Sequence, residues 1–349
     1  MAVVNTTVRM EQKPTTIKEI AKRLNVSVST VSRALHNHSS IGLRTKMQVQ
    51  QLAAELNYEP NQAAISFKQG KTMTLGVILP NLQEEFFSLA INGIEDIASR
   101  NNYTVLIGQS RDSAEREARI VDTMRRHRVD GLVVSLAKTT KNFDHFTQLE
   151  KYNIPVVFFD RIPDLPDMYS VSCNLQNSSI ELVDWLTAQG HRKIGFIKGP
   201  DTLLPTRERL LGYQQGLKKH GIKPESSYVV STDLSAAKTA DAIHKLLALR
   251  NRPTAVITFN DYVALDAMKY VKQLGLNINK DIDFVSFANL PVTSYLDHPP
   301  AASVEQFPYQ QAEKATEVLL QLINKQEPPT AVRRIVMEGR LVINKKQQG

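Results

Sequence analysis

Apolar residues in the first sixty positions recur at helical intervals. Ile17, Ile20, Ala21 and Leu24 fall at i, i+3, i+4 and i+7, and Thr16 stands three residues before Glu19, so a capped amphipathic helix is expected to start at Thr16. Asn25 and Val26 interrupt the pattern. Ser27 can then cap a second helix with Val31, Ala34 and Leu35 facing inward and Ser29, Ser32 and Arg33 facing outward. A third stripe, Val49, Leu52, Ala53 and Leu56, ends at Asn57 with Pro60 beyond it. Three short helices sharing one small core are expected over 15–60.

From Thr74 the pattern changes. Short apolar runs alternate with longer helical stretches: TLGVILP, TVLIGQS, DGLVVSL and IPVVFFD, then KIGFIKG, YVVSTD, PTAVITFN and IDFVSFAN. Continuous apolar strands between helices belong to parallel sheets covered on both faces. Two successive sets predict two doubly wound α/β lobes. With 349 residues the chain is long enough for several folding units. The expected organisation is a tail over 1–14 without an assigned role, an all-α segment over 15–60, a connecting segment over 61–72 and a two-lobed unit over 73–349. The first lobe is expected at about 73–172 and 305–328, the second at about 173–303 and 329–349. The alternation alone does not choose between an enzyme and a binding protein.

Charge separates the two regions further. The net charge is +8, and residues 1–72 hold ten Lys or Arg against four Glu, which leaves +2 for all the rest. Between Glu19 and Glu55 there is no acid, whereas Lys22, Arg23, Arg33, Arg44 and Lys46 all lie there. Such a segment is either a solvated basic face or a surface that neutralises phosphates. A tight turn followed by a helix with small hydroxyl residues at its start matches a helix-turn-helix, whose second helix enters the DNA major groove. An ordinary three-helix bundle accounts for neither the missing acids nor the hydroxyls.

Other chemistries lack their signatures. There is no GxGxxG after a strand, no GxxxxGK[ST], no HExxH and no GxSxG, so no enzyme, cofactor or metal is expected. The eight histidines are scattered, and the single cysteine, Cys173, has no partner for a disulfide. No apolar run approaches a membrane span, and the N-terminus reads unlike a secretory signal, so a cytoplasmic location is expected.

The stretches TIKEIAKRLNVSVSTVSRAL and ELNYEPNQAA closely resemble the lactose-repressor (LacI/GalR) family of bacterial regulators. The resemblance continues through RVDGLVV, IPVVFFDR, GHRKIGFIKGP, RERLLGYQQGL, RPTAVITFNDYVALDAM and PPAASVEQ. It implies a DNA-binding regulator controlled by a small molecule, with a core similar to periplasmic sugar-binding proteins, acting as a homodimer on a roughly palindromic operator. A sugar-binding protein or α/β enzyme without a DNA role accounts for the lobes alone.

The resemblance places base-reading side chains on Val28, Ser29 and Arg33, with Arg33 suited to a guanine and Val28 to a thymine methyl. Thr16, Ser27, Thr30 and Ser32 would hold phosphates, besides capping and packing. The segment NQAAISFKQG corresponds to a hinge that turns helical on DNA, where Phe67 takes the place of the family's leucine wedge and Ala64 is counted among the contacts. In the core it points to Phe86, Phe87, Asp160, Arg161, Arg209, Asn260, Asp261 and Asn289 for the effector. Two departures stand out: Ala288 and Asn289 follow IDFVSF where an aspartate is common, and only Asn174 follows Cys173 where Asp often precedes Asn. Rings beside Asp, Arg and Asn suit a carbohydrate. The first lobe's surface and the helix PYQQAEKATEVLLQLINKQ are candidate dimer contacts.

Overall fold

The computed structural model describes residues 15–59, 70–165, 167–325 and 333–344. The chain divides between Thr72 and Met73 into two compact units.

The first unit holds α1 (Ile17–Leu24), α2 (Val28–Leu35) and α3 (Leu43–Glu55). Thr16 caps α1 by accepting the Glu19 amide at 3.3 Å. Glu19 itself bonds Arg23 at 2.9 Å, so only half of a reciprocal capping box forms. Asn25 adopts the left-handed conformation (φ 50°), which Asn tolerates better than most residues, and this stops α1. The Val26 amide closes the turn onto Ala21 O at 3.0 Å. Ile20, Ala21, Val31, Ala34, Val49 and Ala53 form the buried centre. α3 begins a turn and a half before its apolar stripe, leaving Leu43 and Met47 exposed.

The second unit contains two six-stranded sheets. The first has the order β11-β5-β4-β3-β1-β2, with β1 Thr74–Leu79, β2 Thr104–Gln109, β3 Gly131–Val134, β4 Val156–Phe159, β5 Tyr169–Cys173 and β11 Arg334–Met337. All its pairings are parallel. The second has the order β12-β10-β9-β8-β6-β7, with β6 Ile194–Lys198, β7 Val229–Ser231, β8 Ala255–Thr258, β9 Asp283–Phe287, β10 Ala302–Glu305 and β12 Arg340–Ile343. There β12 runs antiparallel to β10, a departure from the purely parallel sheets expected. Antiparallel strands at the edge of such sheets are common.

Helices cover both faces of each sheet: α4 (Glu85–Arg100), α5 (Ala114–Arg126), the short α6 (Asp144–Thr147), α7 (Leu175–Ala188), α8 (Leu204–Lys219), α9 (Ala236–Leu247), α10 (Asp261–Gln273) and α11 (Pro308–Ile323). Four apolar clusters result, two per sheet. The chain passes between sheets after β5, after β10 and between β11 and β12. This corrects the expected division, which put all of 329–349 in the second lobe, because β11 pairs with β5 of the first sheet. Gly339 makes the last passage feasible, since a Cβ there would lie 2.7 Å from Ser178 Oγ and 2.9 Å from Val304. Helix α11 buries Ala312, Ala315, Leu319 and Leu320 inside the first lobe. A Cβ on Gly93 of α4 would lie 2.3 Å from the Tyr309 carbonyl oxygen. The apolar face of α11 is thus used inside the first lobe.

Candidate functional site: an exposed recognition helix and an interlobe cleft

In the first unit, Ser27 starts α2 by accepting the Thr30 amide at 3.0 Å, and its hydroxyl lies 2.7 Å from Ser29 Oγ and 2.8 Å from Thr30 Oγ1. One N-terminus therefore carries three hydroxyls beside unsatisfied helix amides, a setting that favours anions. Val28 is 41% exposed although apolar. Ser29 and Arg33 are exposed on the same helix and Ser32 is half-buried, while Val31 and Ala34 hold the opposite face in the core. The Arg33 guanidinium has no hydrogen bond or ion pair among the described residues. Thr16 is exposed at the start of α1. Ala64 and Phe67 lie outside the described residues.

In the second unit the cleft sits where the strands of both sheets end. It brings together Phe86, Phe87, Asp160, Arg161, Arg209 and Asn260, six of the eight residues expected there. Phe86 and Phe87 begin α4 with their rings edge to face at 5.3 Å, and both are buried. Asp160 and Arg161 follow β4. Arg161, buried, bonds Asp112 at 2.7 Å, approaches Glu84 at 3.9 Å and lies over the Phe87 ring at 5.5 Å. Asp160 accepts the Ser135 hydroxyl at 3.3 Å, and burial pushes its pKa up. Burial also raises the Glu84 carboxyl, partly offset by Arg161.

Arg209 on α8 has the most demanding environment. Its guanidinium carbon lies 4.4 Å from the Phe259 ring centre and 4.5 Å from that of Phe287. One nitrogen donates to Gln306 Oε1 at 2.7 Å, whereas Nε and the other terminal nitrogen are buried without a partner. Burial pulls its pKa down to about 10, against the attraction of Asp160. Buried donors left unpaired cost free energy, so such groups call for an acceptor. Asn260 uses its side-chain oxygen to cap α10 through the Val263 amide at 2.9 Å.

Two expected residues do other work. Asp261 is fully buried; it accepts the Leu290 amide at 2.6 Å and the Ser303 hydroxyl at 2.9 Å, with the Ser286 hydroxyl also bonded. It fastens the loop after β9 and is not among the residues lining the cleft. Asn289 is likewise not in the lining; its amide nitrogen donates to Glu305 at 3.0 Å and its backbone is left-handed (φ 49°). Conversely, Glu84, Phe259, Tyr262, Leu290 and Gln306 line the cleft and were not anticipated. Phe259 precedes Asn260 in PTAVITFN and Gln306 ends PPAASVEQ, but nothing in either stretch points to Arg209.

The two lobes are drawn together in this structure. Tyr262 Oη accepts the Glu85 amide at 3.3 Å, the Val292 amide donates to Glu85 at 3.2 Å, Lys138 Nζ donates to Asp233 O at 2.7 Å, and Arg207 pairs with Asp164 at 3.0 Å. The cleft between them is narrow, with a cavity volume of about 30 Å³.

Among the described residues, no helix is long and apolar enough to cross a membrane, and no group of acidic, histidine or cysteine side chains has the arrangement of a metal site. Residues 16–61 match the family described as bacterial regulatory proteins, lacI family, and residues 72–345 match the periplasmic binding proteins and sugar binding domain of LacI family. The chain is similar to the HTH-type transcriptional repressor CytR of Escherichia coli strain K12, with 29% identity over 96% of this chain and 97% of the relative. It is 31% identical to the probable HTH-type transcriptional regulator EndR of Paenibacillus polymyxa over 90% of this chain and 92% of that one. Among solved structures, the lac repressor dimer bound to operator and the anti-inducer ONPF superposes with a TM-score of 0.82 at 26% identity, covering 95% of this chain and 98% of the other. By name, CytR is a transcriptional repressor and EndR a probable transcriptional regulator. With both parts matched, the head by one description and the two-lobed unit by the other, the chain belongs to the lacI family of bacterial regulatory proteins.

Proposed function

We propose that this protein is a sequence-specific DNA-binding transcriptional regulator, a repressor, whose affinity for a roughly palindromic operator is set by a small polyhydroxylated effector held between the two lobes. One observation carries the reading. An exposed helix offers Val28, Ser29 and an unpaired Arg33 on one chain with a cleft in which Arg209 keeps two buried donors open. In this reading Arg33 donates to a guanine edge, Val28 meets a thymine methyl, and Thr16, Ser27, Thr30 and Ser32 meet phosphates. Ala64 and Phe67 serve the minor groove.

The effector's class follows from the cleft's balance. The cleft's lining sets the carboxyls of Asp160 and Glu84 against the guanidiniums of Arg161 and Arg209, an even balance that suits a neutral ligand. Aromatic rings beside forked donors and acceptors suit a neutral sugar or sugar-like molecule, with Arg209, Asn260 and Asp160 on its hydroxyls. Bonds between the lobes span the cleft, so the lobes open to load the effector and close around it. The protein acts as a homodimer in the cytoplasm, where chromosomal DNA is found. Leu106 and Ile107 on edge strand β2 and the 86% exposed Tyr295 are the apolar surfaces a second copy covers.

The test couples both halves. Operator candidates are selected from a random duplex pool, and binding is followed by fluorescence anisotropy with and without sugars that raise the melting temperature in a thermal-shift screen. A hit that changes operator affinity supports the proposal. Selection that enriches no sequence overturns it.

A further inference from the structure

All strands of the first sheet start at one edge, because every pairing in it is parallel. Helices α4, α5 and α11 and the 3-10 turn Gln148–Tyr152 end at that edge, as the connections of a parallel sheet require. Its parts are joined: the Met73 amide donates to Asp130 at 3.0 Å, a Cβ on Gly131 would touch Leu319 and Ile323 of α11, and Arg125 lies 4.7 Å from the Tyr152 ring centre.

The edge collects cations. Arg100 closes α4, Arg125 and Arg126 close α5 with Arg128 two residues later, Lys151 lies in the 3-10 turn, Lys325 follows α11, and Arg333 precedes β11. Five acids, Asp96, Asp122, Asp130, Glu150 and Asp167, share the edge with these seven cations, so its balance is +2. Residues 73–349 together carry only +2, so this edge holds the unit's entire net charge. A helix C-terminus favours one cation in its last turn. Three arginines within four residues after Met124 exceed that need, and Arg126 keeps 66% of its side chain exposed despite its pairing with Asp122.

The edge also stands beside the connection to the head. The chain enters the unit there, through Gly70 to Thr72 and into β1. Eleven peptide steps separate Glu59, the last described residue of the head, from Gly70, and at full extension they span at most about 40 Å. The head is therefore tethered to the unit at this edge. Six strands about 4.8 Å apart make the edge about 24 Å wide, while duplex DNA presents a charge roughly every 1.7 Å along its axis.

We infer that this strand-start edge of the first lobe is a second DNA surface, which lies on the phosphate backbone flanking the site read by α2 and carries no base readout. The inference rests on the regulator reading above, and the experiment separates the two. Full-length protein is titrated onto a random-sequence duplex of about 40 base pairs at several salt concentrations. The variant Arg100→Ala/Arg126→Ala/Lys151→Ala is compared with Lys223→Ala/Lys245→Ala/Lys272→Ala, which removes the same charge from exposed positions on the second lobe. At about 0.1 M salt the first variant binds roughly ten-fold or more weakly, and the slope of log K against log salt falls by roughly 0.9 for each phosphate no longer neutralised, while the second variant keeps the wild-type slope. Equal slopes for the wild type and the first variant, or equal losses in both variants, overturn the inference alone. Wild-type protein with no affinity for the duplex overturns it together with the regulator reading.

Discussion

Arg209 donates to Gln306 Oε1 at 2.7 Å from between two phenylalanine rings, with two further guanidinium nitrogens buried and unpaired. The Gln306 bond fixes the fork so that the open donors have one orientation. Arg209→Lys keeps a charge but loses the planar fork and the ring stacking. Effector binding, read by calorimetry, is expected to weaken roughly 10- to 100-fold in this variant, the range for losing hydrogen bonds to a charged group. Operator affinity without effector stays near wild type. Unchanged effector affinity would remove Arg209 from the site.

Among the described residues Arg33 projects from α2 without a hydrogen bond or ion pair, so its removal breaks neither there. Arg33→Ala is expected to weaken operator binding by about 1–3 kcal/mol, with a much smaller effect on random duplex. Anisotropy titrations on both duplexes check this. An equal loss on the two would mean a phosphate contact and no base readout.

The head was the most legible part of the chain. Its core is set by helical spacing and its boundaries by local caps, both of which act within a few residues, and Thr16, Asn25 and Ser27 behave as their chemistry predicts. The eight apolar runs became strands for a similar reason. The strands that escaped notice, β5, β10, β11 and β12, are short, and β5 and β10 bury Ser170, Ser172 and Ser303, which weakens any apolar signature. The same strands decide the lobe boundaries, so the place of β11 could not be read from local pattern. In the cleft, Asp160 and Arg161 were readable because a charged pair ended an apolar strand. Gln306 and Phe259 were not, because they meet Arg209 only once strands from distant parts of the chain end side by side. Asp261 illustrates the opposite error: its neighbour Asn260 lines the cleft, but one helical step turns the Asp261 carboxylate toward Ser286 and Ser303.

That buried carboxylate predicts a pH effect. Burial lifts the Asp261 pKa from 3.8 to about 6, although the bonds from Ser286, Leu290 and Ser303 oppose the rise. A carboxyl whose folded pKa exceeds its unfolded value binds more protons when folded, so its contribution to stability falls as pH rises from about 4 to 6 and levels off above. The shift corresponds to about 3 kcal/mol. Asp261→Asn keeps the shape without the charge, so its stability relative to wild type should improve as pH rises across that window. Denaturant unfolding of both proteins at pH values from about 4 to 7.5 measures the difference. A constant difference would mean that Asp261 does not titrate there.

Helices α7 and α8 meet so closely that a Cβ on Gly212 would lie 2.1 Å from the Gln176 carbonyl oxygen and 2.7 Å from Ser179 Cβ. Backbone cannot yield as a flexible side-chain tip can. Gly212→Ala should therefore destabilise the core by about 1–3 kcal/mol, although alanine is the better helix former in isolation. Thermal unfolding at fixed protein concentration reads the loss. A neutral or stabilising result would mean that the helices separate freely.

Closure of the cleft leans on Tyr262, whose hydroxyl accepts the Glu85 amide from the opposite lobe at 3.3 Å. The ring also packs against the first lobe's apolar cluster. Tyr262→Phe keeps the ring and deletes only the hydroxyl, so the closed state loses about 1 kcal/mol and the open state nothing. The closed-to-open ratio should then fall roughly five-fold. Since the proposed effector is enclosed only when the lobes meet, its affinity falls by up to the same factor, while the unliganded protein expands. Small-angle scattering without effector and calorimetry with it test the two halves of this prediction together. A weaker affinity without expansion would place the hydroxyl on the effector itself, and expansion without weaker affinity would show that binding does not require closure.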